Sequence, residues 1–130
     1  MASMIVADAS WVVALRDPED RYHERALMVN RDIGGEDVLL HSVTLTECLV
    51  APARLGVLKV ASEALRASFR IVDIDDGAPE RWATLRVQFG LRLPDVIVLD
   101  TALSHGARAV ATFDVRLAAA SSQRGLEVLG

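Results

Sequence analysis

The sequence predicts an α/β domain with a mostly parallel central sheet, on three observations. Short apolar-rich runs recur along the chain, at Met4–Asp8, Val38–Leu40, Ile71–Ile74, Arg108–Thr112 and Leu126–Leu129. Runs of this length suit strands buried on both faces. Longer segments between them carry apolar residues at helical spacing, as at Tyr22, Ala26, Val29 and Ile33. Strand-like and helix-like segments alternate throughout, with no repeat, linker or low-complexity tract, so residues 1–130 read as one domain.

Each element has a local reason. Met1–Ser3 reads as a loose leader. Asp8 ends the first strand, and Ser10–Leu15 begins a helix that either Asp8 or Ser10 can cap. One cap suffices, which frees the other residue for chemistry; Asp8 is better placed to project from the strand end. Asp17-Pro18-Glu19-Asp20 is a turn with helix-start chemistry. The Tyr22–Arg31 helix ends at Gly34-Gly35, and His23 on it reads as a surface residue. His41 follows the second strand in a packing or capping position. Val43–Ala51 is apolar on nearly every face, which predicts a largely buried helix that Pro52 kinks or ends. Leu55, Leu58, Ala61, Leu65 and Phe69 are spaced for packing on the next helix. Asp73, Asp75 and Asp76 read as turn and cap residues, and Pro79 starts a helix over Glu80–Phe89, with Trp82, Leu85 and Phe89 on one face. Pro94-Asp95 opens another, since proline suits the first turn and a carboxylate the positive helix end. Gly106 closes it. Residues 115–124 read as a loop or short helix.

Composition narrows the functional classes. The longest strongly aliphatic runs, such as Val96–Leu99, fall far short of the ~18 residues of a membrane span. No basic start followed by a long apolar core marks a signal peptide. Cys48 is the only cysteine, which excludes an internal disulfide and fits a reducing, cytoplasmic setting. The net charge of −4 argues against nucleic-acid binding by a basic field alone, but not against an enzyme whose acids gather at a metal. All basic residues but Lys59 are arginine, a pattern of codon usage or of phosphate contacts by the planar guanidinium.

Four carboxylates carry the chemistry. Asp8 stands at a strand end, Asp95 at a helix start and Asp114 after a strand, all on the edge where open α/β sheets bind ligands. Glu47 is the only charge on an apolar helix, where a carboxylate must be paired, coordinated or protonated. Cys48 beside it reads as a small buried hydrophobe. Gathered in one pocket, the four acids repel and raise at least one pKa. A hard divalent cation such as Mg²⁺ or Mn²⁺ resolves that conflict, and two such ions can serve phosphodiester cleavage. No paired His or Cys spacing suggests zinc, and neither a glycine-rich phosphate loop nor a G-x-S-x-G elbow is present.

At Ile5-Val-Ala-Asp8-Ala-Ser10, Thr46-Glu47, Leu93-Pro-Asp95-Val-Ile97 and Ala111-Thr-Phe-Asp114 the chain resembles the PIN-domain ribonucleases, most closely the VapC-type toxins of bacterial toxin–antitoxin pairs. The resemblance covers nearly the whole chain and rests on the order and spacing of these segments. It implies a three-layer α/β/α fold and Mg²⁺- or Mn²⁺-dependent endonucleolytic cleavage of RNA. It implies that Asp8, Glu47, Asp95 and Asp114 are catalytic and hold the metal, Asp8 and Asp95 most firmly, with Ser10 and Thr112 at the supporting hydroxyl positions. It also implies a homodimer and a small cognate VapB-type antitoxin that blocks the site, often with a basic side chain.

Two departures stand out. Many relatives carry a further acid soon after the position of Asp114, where this chain has Val115, Arg116 and Leu117, which predicts a second ion that is weakly held, or absent without substrate. Asp100 replaces a small apolar residue; it lies about 140° round the helix from Asp95 and reads as a supporting or interface residue. The rival readings are a non-catalytic interaction domain of the same fold and a phosphoryl-transfer receiver domain, for which Lys59 is badly placed. Arg54, Arg92 and Arg116 are the arginines offered as RNA contacts, and sequence does not choose among them.

Overall fold

The computed structural model describes residues 3–130, so most of the predicted leader, Met1 and Ala2, lies outside the described residues. Five strands form one sheet: β1 (Met4–Ala7), β2 (Asp37–His41), β3 (Arg70–Val72), β4 (Ala109–Ala111) and β5 (Glu127–Leu129). Their order is β3-β2-β1-β4-β5, and every neighbouring pair is parallel. Seven helices connect them: α1 (Ala9–Arg16), α2 (His23–Ile33), α3 (Ser42–Arg54), α4 (Leu58–Ser68), α5 (Ala78–Phe89), α6 (Leu93–Ser104) and α7 (Val115–Gln123). The sheet is therefore parallel in full.

Alternation along the strands divides the core into two layers. Ile5, Ala7, Leu40, Ala109 and Ala111 face one cluster, which Trp11, Ala26, Leu45 and Leu65 complete from α1 to α4. Val6, Leu39 and Val110 face the other, closed by Leu85, Val96, Leu99 and Leu117 from α5 to α7. This is a three-layer α/β/α arrangement, its two faces set by the period-two side-chain alternation of strands. Trp11 is wholly buried and meets Phe69 edge-on at 6.3 Å between centroids. Burying such a side chain is worth about 2–3 kcal/mol.

The topology creates one crevice. From β1 the chain runs outward through β2 to β3, then returns to the other side of β1 for β4 and β5. The switch lies between β1 and β4, where the connections on either side leave on opposite faces and open a cleft beyond the strands' C-terminal ends. Ala7 pairs with Ala111, so Asp8 and Thr112 emerge side by side at that opening. The Asp8 amide extends the ladder, donating to the Ala111 carbonyl at 2.9 Å.

Several boundaries differ from the sequence reading. Of the two readings of residues 115–124, the short helix is the one formed, over 115–123, because the Asp114 carboxylate caps it by accepting from the Leu117 amide at 2.9 Å. Pro52 lies inside α3, which continues to Arg54. The following helix starts at Leu58 and not at Leu55, since Gly56 turns the chain through a left-handed conformation (φ +75°). Leu55 and Leu58 are exposed, against the packing role their spacing predicts; only Leu65 and Phe69 of that series are buried. His23 is not a plain surface residue: its Nδ1 donates to the Ala14 carbonyl at 2.7 Å, tying α2 to α1. His41 caps α3, its Nδ1 accepting from the Val43 amide at 3.1 Å.

Candidate active site

Asp8 is the fixed point of the cleft. By backbone position it is the N-cap of α1, yet its side chain makes no capping bond, and neither does Ser10. The expectation that one of the two caps the helix is therefore wrong. The Ser10 hydroxyl donates to Asp8 Oδ2 at 2.7 Å and accepts from the Phe113 amide at 3.0 Å. The Thr112 hydroxyl donates to the same oxygen at 2.7 Å and accepts from the Asp114 amide at 2.9 Å. Each hydroxyl has its proton committed to Asp8 because a backbone amide occupies its acceptor side. Two donors on one oxygen lock the carboxylate's orientation, at 7% exposure.

Asp95 enters from the first turn of α6, where Pro94 fits because an N-terminal helical N–H has no intrahelical partner anyway. It too makes no capping bond. At 5% exposure it is as buried as a core residue, while its nearest cation, Arg92 Nε, stands 3.6 Å away, beyond ordinary hydrogen-bond length. Burial, then the charges of Asp114 and Asp8, raise its pKa; Arg92 offsets only part of that. Asp114 spends one oxygen on the α7 cap, and its other oxygen lies 3.9 Å from Arg92 Nη2.

Glu47 corrects the sequence reading. Only Thr44, Leu45 and Cys48 of α3 are buried, and Glu47 lies on the exposed face, so the expectation of a largely buried helix fails. The helix packs against α4, α1, α6, β2 and β3, and leaves Thr46, Glu47 and Val50 exposed. Even so, the Glu47 carboxyl stands close enough to the cleft that its pKa is raised, first by desolvation and then by Asp8 and Asp95. Cys48 is a buried free thiol, pushed up to about 12 by its apolar surroundings.

The structure thus brings Asp8, Asp95 and Asp114 to one edge, with Glu47 on its rim, near enough to perturb one another. They do not close into a ready cage: among the described residues no three His, Cys, Asp or Glu side chains stand in metal-holding geometry. The donor set nevertheless fits a hard divalent cation. It is all carboxylate oxygen, two members carry raised pKa values, and the opposing guanidinium is loosely held.

Asp100 does not join this set. It sits 5% exposed on the far side of α6, accepting from Arg81 Nε at 2.8 Å, Arg81 Nη2 at 3.1 Å, Trp82 Nε1 at 2.9 Å and Ser104 Oγ at 3.1 Å. Arg81 also forks onto Asp75 at 2.8 and 2.9 Å. Sequence reading missed this network and read Asp75 only as a turn residue. Of the three arginines offered as RNA contacts, Arg92 is the one within ion-pair distance of these acids; its i,i+3 spacing to Asp95 was the available signal for that pairing.

A family model described as PIN domain matches residues 5–122. Solved structures with a similar fold include a toxin–antitoxin complex from Klebsiella pneumoniae, with 23% identity, TM-score 0.74, and 88% of this chain and 90% of that one covered. A second is Mycobacterium tuberculosis VapC20, described as a sarcin–ricin loop cleaving toxin, at 20% identity and TM-score 0.76 over 89% and 94% of the two chains. A third is FitAcB from Neisseria gonorrhoeae, at 24% identity and TM-score 0.75 over 98% and 97%. At these identities the likeness is one of fold. The comparison with curated proteins gives no match.

Proposed function

The chain belongs to the PIN domain family, and on that premise we propose that it is a metal-dependent endoribonuclease, a VapC-type toxin of a toxin–antitoxin pair, with residues 1–130 forming one nuclease domain. The observation that carries this reading is the buried, orientation-locked Asp8 beside an under-neutralised Asp95. Two buried acids left in mutual repulsion are costly unless something else completes the site.

In this proposal Asp8 and Asp95 are the principal ligands of one Mg²⁺, for which Mn²⁺ can substitute, with Glu47 and Asp114 beside it. Bound there, the ion supplies Lewis acidity toward the scissile phosphate and lowers the pKa of water. Ser10 and Thr112 keep Asp8 Oδ2 occupied, so the carboxylate presents its other oxygen in a fixed direction. Glu47, at the solvent rim with a raised pKa, is suited to orienting the attacking water and taking its proton. Asp114 is held by its cap bond, which fixes where its free oxygen faces.

The proposed partners are an RNA substrate, a second copy of the chain, and a small VapB-type antitoxin. An apolar groove of about 420 Å³ between α1, α3 and α4 supports the last, lined by Val12, Val13, Pro52, Leu55 and Val57. Leu55 is 77% exposed there, and apolar surface of this kind marks interaction sites. No helix among the described residues is long and apolar enough to cross a membrane, and cytoplasmic action is part of the proposal.

The deciding experiment sequences RNA cleavage ends after induction of the wild type and of Asp8→Asn. Discrete new ends that vanish in the variant, and cleavage in vitro that EDTA stops, are the expected results. Identical ends from both proteins, or cleavage indifferent to EDTA, overturn the reading. Thermal melts address the interaction-domain alternative: a site that binds Mn²⁺ raises the midpoint by mass action, and no shift at millimolar ion favours the non-catalytic domain.

A further inference from the structure

Among the described residues, Arg92 is the one cation within ion-pair distance of any of the four cleft acids. Its grip is weak. The 3.6 Å approach to Asp95 and the 3.9 Å approach to Asp114 both involve Oδ2 atoms, neither is a hydrogen bond, and the side chain is 73% exposed. Arg81, on the other side of α6, is held by four hydrogen bonds between 2.8 and 3.1 Å. Arg92 is the N-cap of α6, with buried Leu91 before it and Pro94 in the first turn after it, so its exposed side chain can swing from an anchored backbone.

Arg92 therefore neutralises the oxygens that a divalent cation needs, in the place where an RNA phosphate must arrive. A guanidinium suits both anions, since its planar fork pairs with carboxylate and phosphate alike. We propose that Arg92 is a two-position residue: it is the resident counter-ion of Asp95 and Asp114 in the metal-free protein, yields their oxygens to the divalent cation, and then binds the RNA phosphate backbone beside the cleft. This rests on the nuclease reading above and adds a residue that contacts substrate.

The test uses the full chain as wild type, Arg92→Ala and Arg92→Lys. Mn²⁺ affinity is read from the metal dependence of the melting midpoint. RNA affinity is read by fluorescence anisotropy of a short single-stranded RNA in Ca²⁺ over a range of salt. Arg92→Ala should bind Mn²⁺ about threefold more tightly, as loss of a weak competing pair predicts. It should bind RNA about tenfold more weakly, with the salt slope reduced by about 0.7. Arg92→Lys should keep most of the slope and lose part of the affinity. Unchanged Mn²⁺ affinity in Arg92→Ala overturns the counter-ion role, and unchanged RNA affinity and slope overturn the phosphate role. A wild type that neither gains stability from Mn²⁺ nor binds RNA brings down the nuclease reading and this inference together. A wild type that does both while Arg92→Ala matches it brings down the Arg92 inference alone.

Discussion

Asp95 and Asp100 stand on the same helix, equally buried at 5% exposure, and have opposite surroundings. Asp100 accepts four hydrogen bonds from Arg81, Trp82 and Ser104. Asp95 faces other carboxylates and one loosely held arginine. Burying a charge is costly without partners, and Asp100 has enough partners to offset that cost. It joins α5 to α6 and needs nothing further. Asp95 retains the cost, which the fold tolerates and which the proposed cation would relieve. Two acids of one type and burial thus separate by the partners each receives: one is satisfied within the fold and the other is not.

The comparison breaks most visibly in activity. Asp95→Asn should lower RNA cleavage by about 10³-fold while its metal-free melting midpoint stays level or rises, because one member of a repelling set has lost its charge. Gel-based cleavage assays and calorimetry check both halves, and a large loss of stability would move Asp95 into the structural class with Asp100. Asp100→Ala should do the reverse. Removing the acceptor of the Trp82 indole and the Ser104 hydroxyl should cost about 2 kcal/mol of stability, seen as a lower urea midpoint, with cleavage per folded molecule retained.

Smaller effects sharpen the picture. Thr112→Val removes one of the two donors that orient Asp8 and should reduce cleavage by about 10-fold, as loss of a ligand's supporting hydrogen bond does. Unaltered turnover would mean that Ser10 alone fixes the carboxylate. The smallest effect is on pH. Glu47 and Asp95 hold protons above their ordinary values of 4.5 and 3.8. Between those values and the raised ones, the folded chain binds more protons than the unfolded chain, so stability falls as pH rises through that window. Above the raised values the penalty is complete; below the ordinary values it is absent. Asp75 and Glu36 act oppositely, because their arginine partners Arg81 and Arg108 lower their pKa values; their contribution is lost on acidification below the ordinary range. His41, whose pKa burial lowers from 6.5, also acts oppositely, so the carboxylate penalty is read by difference: the metal-free melting midpoint of the wild type minus that of Glu47→Gln should decrease as pH rises above the ordinary carboxylate values, and millimolar Mn²⁺ should flatten that difference. A difference that grows with pH would contradict the carboxylate repulsion.

Much of the fold was legible because its signals are local. The apolar runs at Met4–Asp8 and Val38–Leu40, the Pro94 start of α6 and the left-handed Gly106 after it are decided by neighbours within a few residues. Errors came where distant packing overrules spacing. The Val43–Ala51 pattern cannot say that only one side of α3 is covered, nor can Leu55 announce that Gly56 has taken it out of the helix. The candidate site was legible as a set of acids, and less so in its detail. Asp114 caps a helix and Asp95 does not, although sequence makes Asp95 look the better cap.

The sequence by itself determined the parallel α/β class, the identity of the acids at element ends and the absence of nitrogen or sulfur ligand spacing, because these depend on residue type and local period. Only the tertiary structure decided which acids are satisfied. Ser10 and Thr112 meet on one oxygen of Asp8 because β1 and β4, about a hundred positions apart in the chain, pair in a register that sets Ala7 against Ala111. Arg81 goes to Asp100 while Arg92 is left beside Asp95 and Asp114 because α5 packs on one side of α6 and the crevice opens on the other. Partners supplied through space, and not residue type, separate a buried charge that holds the fold from one that is free to act.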